Sequence, residues 1–276
     1  MIKQLLKSTV RLAIGIASGD TVRILAGPLK GRRLLRQHRV PKLSMLFGTY
    51  ESRFAKAFGR RVKDCSIVYD IGANSGYFSL FAAHQNPATS QIVAFEPVPE
   101  IINDLRAMVT ANGLSSRIRA CQLALSDSVG SVRMFTPGCA TTSTIQTALR
   151  GQAVADEHSI DVEMSTLDQF VYGDGNPPPQ VIKLDVEGAE ALVLAGATRV
   201  LHEKGPTILA EIHGNQPAAD VWDIVAPLDY RIHLLTESGE CLIEDRETWM
   251  NHFVDSKWTI QHCVLTRAAV AATAAA

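Results

Sequence analysis

The chain has 276 residues, of which 46% are hydrophobic, and its net charge at neutral pH is −1. This length suits one large domain, and the apolar content is too high for a globally disordered chain. No apolar run approaches the roughly 18 residues that a membrane-spanning helix needs. The five cysteines are scattered and never spaced C-x-x-C, so neither a disulfide framework nor a structural zinc site is expected.

The small net charge hides an uneven distribution along the chain. Residues 1–42 carry ten lysines and arginines against one acid, Asp20, whereas the rest carries 17 basic and 27 acidic side chains. An acidic body of this kind is a poor partner for nucleic acid. Residues 1–17 also have a modest amphipathic helical pattern. Residues 1–45 therefore form a basic N-terminal segment, which either packs its apolar stripe on the main domain or touches anionic lipid or an acidic glycan.

The two ends of the chain set the expected domain boundaries. The apolar stretch at 12–17 is short, broken by glycine and without a convincing cleavage site, so no secretory signal is expected. The expected location is therefore the cytoplasm, with possible peripheral contact to the inner face of the membrane. The alanine-rich residues 268–276 are expected to be a disordered tail. Residues 46–267 are then left as a single domain.

Strand and helix patterns alternate through that domain. Buried strands are predicted at 66–70, 91–96, 117–125, 181–184, 206–212, 230–235 and 258–265, and helices at 46–58, 75–84, 99–112 and 166–170, with another that follows Glu190 and runs through Leu201. Alternating runs at 132–135 and 160–164 predict an inserted antiparallel pair around a mobile loop rich in Thr, Ser and Ala. The expected class is α/β, with a mostly parallel sheet and helices on both faces.

A loop of small residues follows the first of these strands, from Asp70 to Gly76. Gly72 and Gly76 are expected to leave room for a ligand near the backbone, and Ser75 is a candidate helix N-cap. A dinucleotide fingerprint would need glycine where Asn74 stands, and Asp70, facing the crevice, would repel a pyrophosphate. The loop instead suits a ligand with hydroxyls and an ammonium group, which favours S-adenosylmethionine over NAD.

Acidic side chains end four of the predicted core strands, at Asp70, Glu96, Asp185 and Glu211. The carboxyl ends of parallel strands share one edge of a sheet, where open α/β sheets bind ligands. Glu96 can accept both hydrogen bonds of a ribose diol, a use that NAD enzymes share. Simple capping of the following helix is the alternative for Asp185 and Glu187. The pattern predicts a ligand site along this rim.

Several stretches resemble the FkbM-type S-adenosylmethionine-dependent methyltransferases. They are D-I-G-A-N-S-G at 70–76, F-E-P at 95–97 and I-K-L-D-V-E-G-A-E at 182–190, of which the last is the most specific. Further matches follow the same pattern in order, at Asn112, A-L-S-D at 124–127, T-L-D at 166–168 and E-I-H at 211–213, and Tyr50-Glu51 resembles a family feature upstream of the first strand. The resemblance covers roughly residues 46–215. It implies a Rossmann-like class I methyltransferase fold and O-methylation, commonly of sugar hydroxyls or natural-product scaffolds.

The resemblance also implies roles for individual residues. The implied cofactor-binding residues are Asp70, Gly72, Ala73, Asn74, Gly76, Glu96, Pro97 and Ala124, and the residues that would face the acceptor are Asp185, Glu187, Glu211 and His213. An acceptor hydroxyl must lose its proton as the methyl transfers, and His213 or a carboxylate could take it. A Mg²⁺ ion held by rim carboxylates is the second route, but no ligand spacing dictates a metal site, so the metal-free route is favoured.

The hypothesis from the sequence is therefore an S-adenosylmethionine-dependent O-methyltransferase acting on a sugar hydroxyl of a glycan, glycolipid or natural product. One alternative is a non-catalytic binding module with a methyltransferase-like fold. The other is an NAD-linked oxidoreductase, which Asn74 and Asp70 disfavour. Lys183 lies inside a predicted strand and is expected to pair with a nearby acid rather than to catalyse. His213 is a lone histidine, for which a structural role is equally expected.

Overall fold

The computed structural model describes residues 20–35, 42–135, 159–253 and 259–267. Four of the sequence-based expectations therefore fall wholly or partly outside the described residues. They concern the amphipathic pattern at 1–17, the Thr/Ser/Ala-rich loop, the first residues of the last predicted strand and the C-terminal tail. No helix in the described ranges is both long enough and apolar enough to cross a membrane.

The described ranges contain these elements in chain order. The strands are β1 (Thr21–Arg23), β2 (Arg33–Leu35), β3 (Ile67–Ile71), β4 (Gln91–Phe95), β5 (Ile118–Cys121), β6 (Ala124–Leu125), β7 (Gly130–Phe135), β8 (Ser159–Ser165), β9 (Val181–Leu184), β10 (Thr207–His213), β11 (Tyr230–Thr236), β12 (Gly239–Ile243) and β13 (Ile260–Arg267). The helices are α1 (Leu43–Leu46), α2 (Ser52–Val62), α3 (Tyr77–Gln85), α4 (Pro99–Ala111), α5 (Glu190–Ala195), α6 (Thr198–Lys204), α7 (Asn215–Val225) and α8 (Arg246–Asn251).

An eight-stranded sheet with the order β12-β11-β13-β10-β9-β3-β4-β5 forms the centre of the molecule. The strands from β10 to β5 in this order are parallel to their neighbours. β13 is inserted antiparallel between β10 and β11, and β12 pairs antiparallel with β11. The chain builds outward from β3 in one direction and from β9 in the other, so the strand order reverses between these two neighbours. Open α/β sheets bind ligands at such a reversal.

Helices cover both faces of the sheet because alternate residues of each buried strand point to opposite sides. Val68 of β3 and Ile92 of β4 pack in the same core as α2, α3 and α4. Their neighbours Tyr69 and Val93 pack on the opposite face, in the core that contains α5 to α8. The predicted mostly parallel sheet with helices on both faces is confirmed.

Two of the predicted elements are divided in the structure. The run at 117–125 was predicted as one strand, but β5 ends at Cys121 and β6 belongs to a separate three-stranded sheet of order β6-β8-β7. A tight turn causes the break, since the Leu123 N–H donates to the Cys121 carbonyl at 3.1 Å. The helix predicted through Leu201 is split into α5 and α6 around Gly196. Here the backbone of Ser126 approaches so closely that a side chain on Gly196 would overlap its carbonyl oxygen.

Other local expectations are corrected or confirmed by the structure. The helix predicted at 46–58 begins only at Ser52 and continues to Val62, with the short α1 before it. The helix predicted at 166–170 is a π-helical turn at Gln169–Gly173. The antiparallel pair predicted around 132–135 and 160–164 is confirmed as β7 and β8. β12, α7 and α8, and the hairpin of β1 and β2, were not predicted.

Candidate functional site

A cavity opens at the carboxyl ends of β3, β4 and β9, where the strand order reverses. The residues that line it are Ile71, Gly72, Asn74, Phe95, Glu96, Pro97, Ile101, Leu123, Ala124, Leu125, Met134, Asp185, Val186 and Glu187. Most of the side chains that line the cavity are apolar, and its acidic side chains come from the ends of β4 (Glu96) and β9 (Asp185 and Glu187). Of the expected cofactor-binding residues, Gly72, Asn74, Glu96, Pro97 and Ala124 line this cavity.

The glycines of the loop after β3 allow other parts of the protein to pack closely against the loop. A methyl group on Gly72 would overlap the carbonyl oxygen of Asp185, and one on Gly76 would overlap the side chain of Met108. Both glycines also have positive φ angles, of 73° and 88°. Gly72 nevertheless lines the cavity, whereas Gly76 does not, so the expectation that both leave room for a ligand is corrected for Gly76 only. Gly76, not Ser75, is the N-cap residue of α3.

Glu96 is held in place between two loops. One of its carboxylate oxygens accepts the Asn74 N–H at 3.1 Å, and the other accepts the Val98 N–H at 3.0 Å. Its side chain is buried, yet it lines the cavity. Asn74 reaches this position with a φ of 50°, which is uncommon for a residue with a side chain. The carboxylate of Glu96 is therefore oriented before any ligand arrives.

Asp70 lies beneath the loop and is fully buried. It accepts a hydrogen bond from the Ser79 hydroxyl, and its other oxygen lies 3.5 Å from Nζ of Lys183. Asp70 does not line the cavity, so the expectation that it faces the crevice is corrected. The reason is strand alternation, because Asp70 and Lys183 are register partners on parallel strands and point to the same side. Ala73 is likewise buried.

Lys183 connects the loop to the ends of two strands. Its Nζ donates to the Gly72 carbonyl at 2.8 Å and lies 3.3 Å from an oxygen of Asp185. Burial alone would lower the pKa of this ammonium group, but the charges of Asp185 and Asp70 outweigh burial and raise its pKa above the ordinary value. The expected pairing of Lys183 with nearby acids is confirmed by these distances.

His213, at the end of β10, is oriented by a fully buried carboxylate. Its Nδ1 lies 2.9 Å from Oε1 of Glu190, the first residue of α5, and the same oxygen accepts the Gly188 N–H at 2.8 Å. The Glu190 side chain has no exposed surface. This contact fixes the plane of the imidazole ring and directs its other nitrogen toward the cavity rim.

Three further carboxylates surround the other nitrogen of His213. Its Nε2 lies 3.4 Å from both Glu187 and Glu211 and 4.0 Å from Asp185. The structure thus brings together all four residues that were expected to face the acceptor. Burial opposes the charged ring, but hydrogen bonds with Glu190 and Glu211 raise the pKa of His213 to about 11. His213 is therefore an imidazolium at neutral pH, which has no lone pair for accepting a proton.

The carboxylates around His213 differ in their affinity for protons. Burial and the charge of Asp185 raise the pKa of Glu187 to about 7. Burial also disfavours charge on Glu211, but hydrogen bonds from His213 and His262 hold the pKa of that carboxyl well below its usual range. Glu187 is thus the member of this group whose proton exchanges near neutral pH. It also has a φ of 53°, another strained position on the rim.

His262 extends this cluster beyond what the sequence indicated, and Tyr50 and Glu51, which belong to the family resemblance, adjoin it. Nε2 of His262 lies 2.9 Å from Glu211, its register partner on the antiparallel neighbour β13. Glu51 hydrogen-bonds to Tyr50, and burial raises the pKa of its carboxyl. The contribution of His262 depends on strand register, which no local motif encodes. Glu190 lies within the most specific motif, but only the fold shows that it contacts His213.

Two groups of side chains offer atoms that could hold a metal ion. One consists of Asp185, Glu211 and His213, and the other of Glu51, Glu211 and His262, with the potential ligand atoms of each group within 4.8 Å of one another. Carboxylate and imidazole ligands suit several divalent ions. In either group the imidazole would bind an ion through a deprotonated ring nitrogen.

The sequence of this chain is similar to those of known methyltransferases. Residues 70–232 match the family model described as the methyltransferase FkbM domain. The chain is 28% identical over 208 residues to methyltransferase sdnD of Sordaria araneosa, covering 66% of this chain and 76% of that one. It is 27% identical over 180 residues to the 31-O-demethyl-FK506 methyltransferase FkbM of Streptomyces tacrolimicus, covering 56% and 68%. It is 25% identical over 183 residues to the hexuronic acid methyltransferase AglP of Haloferax volcanii, covering 66% and 71%.

The first testable prediction concerns Lys183. Lys183→Met should lower the free energy of unfolding by about 3–5 kcal/mol, because it leaves the buried Asp70 without its counter-charge. Urea unfolding of the variant measures this loss, and Lys204→Met, which removes an exposed ammonium, is the matched control. Adding Asp70→Asn to Lys183→Met should recover part of the loss. A Lys183→Met protein as stable as the control would contradict the role of this ion pair.

Proposed function

Because the chain belongs to the FkbM methyltransferase family, we propose that it transfers a methyl group from S-adenosylmethionine to a sugar hydroxyl of a glycan, glycolipid or natural product. Its fold is the Rossmann-like class I methyltransferase fold. The observation that carries the proposal is the cavity, which runs from the oriented carboxylate of Glu96 to Asp185 and Glu187. Two relatives support the chemistry, since one is named for an O-demethyl substrate and the other for hexuronic acid.

The residues of the cavity fit S-adenosylmethionine. We propose that Glu96, already oriented by two backbone N–H groups, accepts the hydroxyls of the ribose. The apolar side chains of Ile101, Leu123 and Met134, together with Ala124, would flank the adenine. Asp70 would contribute indirectly, by holding Lys183 and through it the carbonyl of Gly72. Once bound, S-adenosylmethionine supplies an electrophilic methyl group on a sulfonium.

The structure changes which residue we propose as the base. His213 is already protonated at neutral pH, so it cannot take the proton of the acceptor hydroxyl. Glu187 lines the cavity and has a pKa of about 7, which makes it a stronger base than an ordinary carboxylate while it remains largely ionised at slightly alkaline pH. We therefore assign the proton transfer to Glu187, with Asp185 beside it.

His213 then acts as a positioning residue for the carboxylates. Its positive charge lies within 4.0 Å of oxygens from Asp185, Glu187 and Glu211, which would otherwise repel one another. The contact of Nδ1 with Glu190 favours the charged form of the His213 ring and fixes its orientation.

Cofactor binding provides the most direct test of the proposed function. In a calorimeter the wild-type protein should bind S-adenosylmethionine and should not bind NAD. Glu96→Ala should weaken S-adenosylmethionine binding by about 1–3 kcal/mol, because the ribose loses hydrogen bonds to a charged group. Glu100→Ala, which removes an exposed acid from the first turn of α4, should bind as the wild type does. Wild-type affinity in Glu96→Ala would refute the ribose assignment.

The charge on His213 can be measured without an acceptor. The ¹⁵N chemical shifts of its imidazole should stay at imidazolium values from pH 6 to pH 9, since its pKa is raised to about 11. Glu190→Gln keeps the shape of the side chain but removes the charge, so His213 should then titrate within that range. A wild-type His213 that titrates near pH 6.5 would return it to the list of candidate bases.

Turnover of the acceptor distinguishes proton transfer to Glu187 from a reaction that needs a metal ion. An acceptor can be found by comparing extracts of a deletion strain and its parent for a glycan or metabolite that lacks one methyl group. With that acceptor, turnover should rise with pH through about 7, as Glu187 loses its proton. Glu187→Gln should lower turnover by roughly 10²–10⁴-fold and leave cofactor affinity nearly unchanged. EDTA should have little effect. Loss of activity with EDTA and its recovery with Mg²⁺ would show the metal-free route to be wrong.

A further inference from the structure

A surface of basic and apolar side chains lies on the hairpin of β1 and β2 and on the neighbouring α1. Ile24 is buried, whereas Arg23 and Leu25 on either side of it are exposed. The Leu25 N–H donates to the Leu46 carbonyl at 2.8 Å, which joins the hairpin to the end of α1. Phe47 follows directly, and 43% of its surface is exposed, against 52% for Leu25.

The two segments that carry these side chains are in direct contact. Gly27 and Gly48 approach so closely that a methyl group on either would overlap the Cα atom of the other. The exposed residues Leu25 and Phe47 therefore lie on two segments whose backbones are in contact. Among the described residues, five large hydrophobic side chains are exposed, and the other three lie on separate elements, at Val129, Leu242 and Ile260. Single exposed apolar residues are ordinary, but an adjacent pair is a stronger sign of an interaction surface.

Exposed basic side chains lie on or next to the same two segments. Arg23, Lys30 and Lys42 are exposed, and the one acid in residues 20–35 and 42–48 is Asp20. The remainder of the chain beyond residue 42 is strongly acidic, with 27 acids against 17 basic residues. We call Arg23, Leu25, Lys30, Lys42 and Phe47 together the basic–apolar patch.

The patch borders the acceptor side of the rim. Nζ of Lys42 lies 4.9 Å from the centre of the Tyr50 ring. Tyr50 in turn hydrogen-bonds to Glu51, whose carboxyl also interacts with the charges of Glu211 and Asp185. A surface that docks at the patch would therefore present its molecules close to the cluster around His213.

We propose that the basic–apolar patch docks this protein on an anionic lipid surface. Leu25 and Phe47 would enter the headgroup layer, and the three basic side chains would face lipid phosphates. Nucleic acid and acidic glycans fit less well, because they would meet the positive charge but leave the apolar pair exposed to water. This proposal concerns where the protein binds, and it does not depend on the chemistry assigned to the cavity.

Flotation of the full-length chain with vesicles tests the proposal. The protein should float with vesicles of phosphatidylcholine and phosphatidylserine at low salt, remain behind with phosphatidylcholine alone, and be released at high salt. The double variant Leu25→Ser/Phe47→Ser should bind about tenfold more weakly, since two apolar side chains no longer enter the lipid. Lys30→Gln/Lys42→Gln should also bind more weakly and should lose most of the salt dependence.

A matched control separates this patch from general surface hydrophobicity. Val129→Ser/Leu242→Ser removes two exposed apolar side chains from other elements and should float as the wild type does. All variants change exposed residues, so their thermal unfolding should match that of the wild type. The proposal is overturned if the wild type does not bind anionic vesicles at low salt, or if Leu25→Ser/Phe47→Ser binds as well as the control. Binding to heparin without binding to vesicles would assign the patch to a soluble polyanion instead.

Discussion

The geometry of the cavity depends on one buried positive charge, the ammonium group of Lys183. A buried charge needs compensation, and here Asp70 from β3 and Asp185 from the end of β9 provide it across the point where the strand order reverses. Their contact requires the observed register of β3 and β9, because Asp70 and Lys183 are partners in that register. Lys183 also binds the carbonyl of Gly72, so the same charge holds the loop that forms the cavity floor.

A second buried cation, His213, lies among the carboxylates at the rim of the cavity. Two carboxylates face Lys183, whereas four lie within 4.0 Å of the His213 ring nitrogens. Burial and the charge of Asp185 raise the pKa of Glu187 in this second group to about 7. Backbone strain accumulates in the same region. Of the five non-glycine residues with positive φ in the described part of the chain, Glu51, Asn74 and Glu187 lie at this rim. Strained residues persist where the surrounding structure holds them, and functional sites are a common location.

The sequence was informative where a residue's role follows from its position at a strand end. Glu96, Asp185 and Glu187 line the cavity because parallel strands end at one edge. It was misleading for Asp70, since a strand buried on both faces gives no periodicity that tells which way its last side chain points. The charge of His213 could not be predicted, because it depends on Glu190 across a helix–strand contact.

Local charge, rather than net charge, decides what each surface of this protein can bind. The chain as a whole is nearly neutral, yet its basic residues concentrate before residue 43 and its acids after it. Where the structure describes both kinds of residue, Tyr50 lies between Lys42 on one side and Glu51 on the other. The proposed docking surface thus attracts anions, while the neighbouring rim repels them. A glycolipid acceptor in a membrane whose anionic lipids bind the patch would therefore approach the rim with an uncharged hydroxyl rather than with an anionic group.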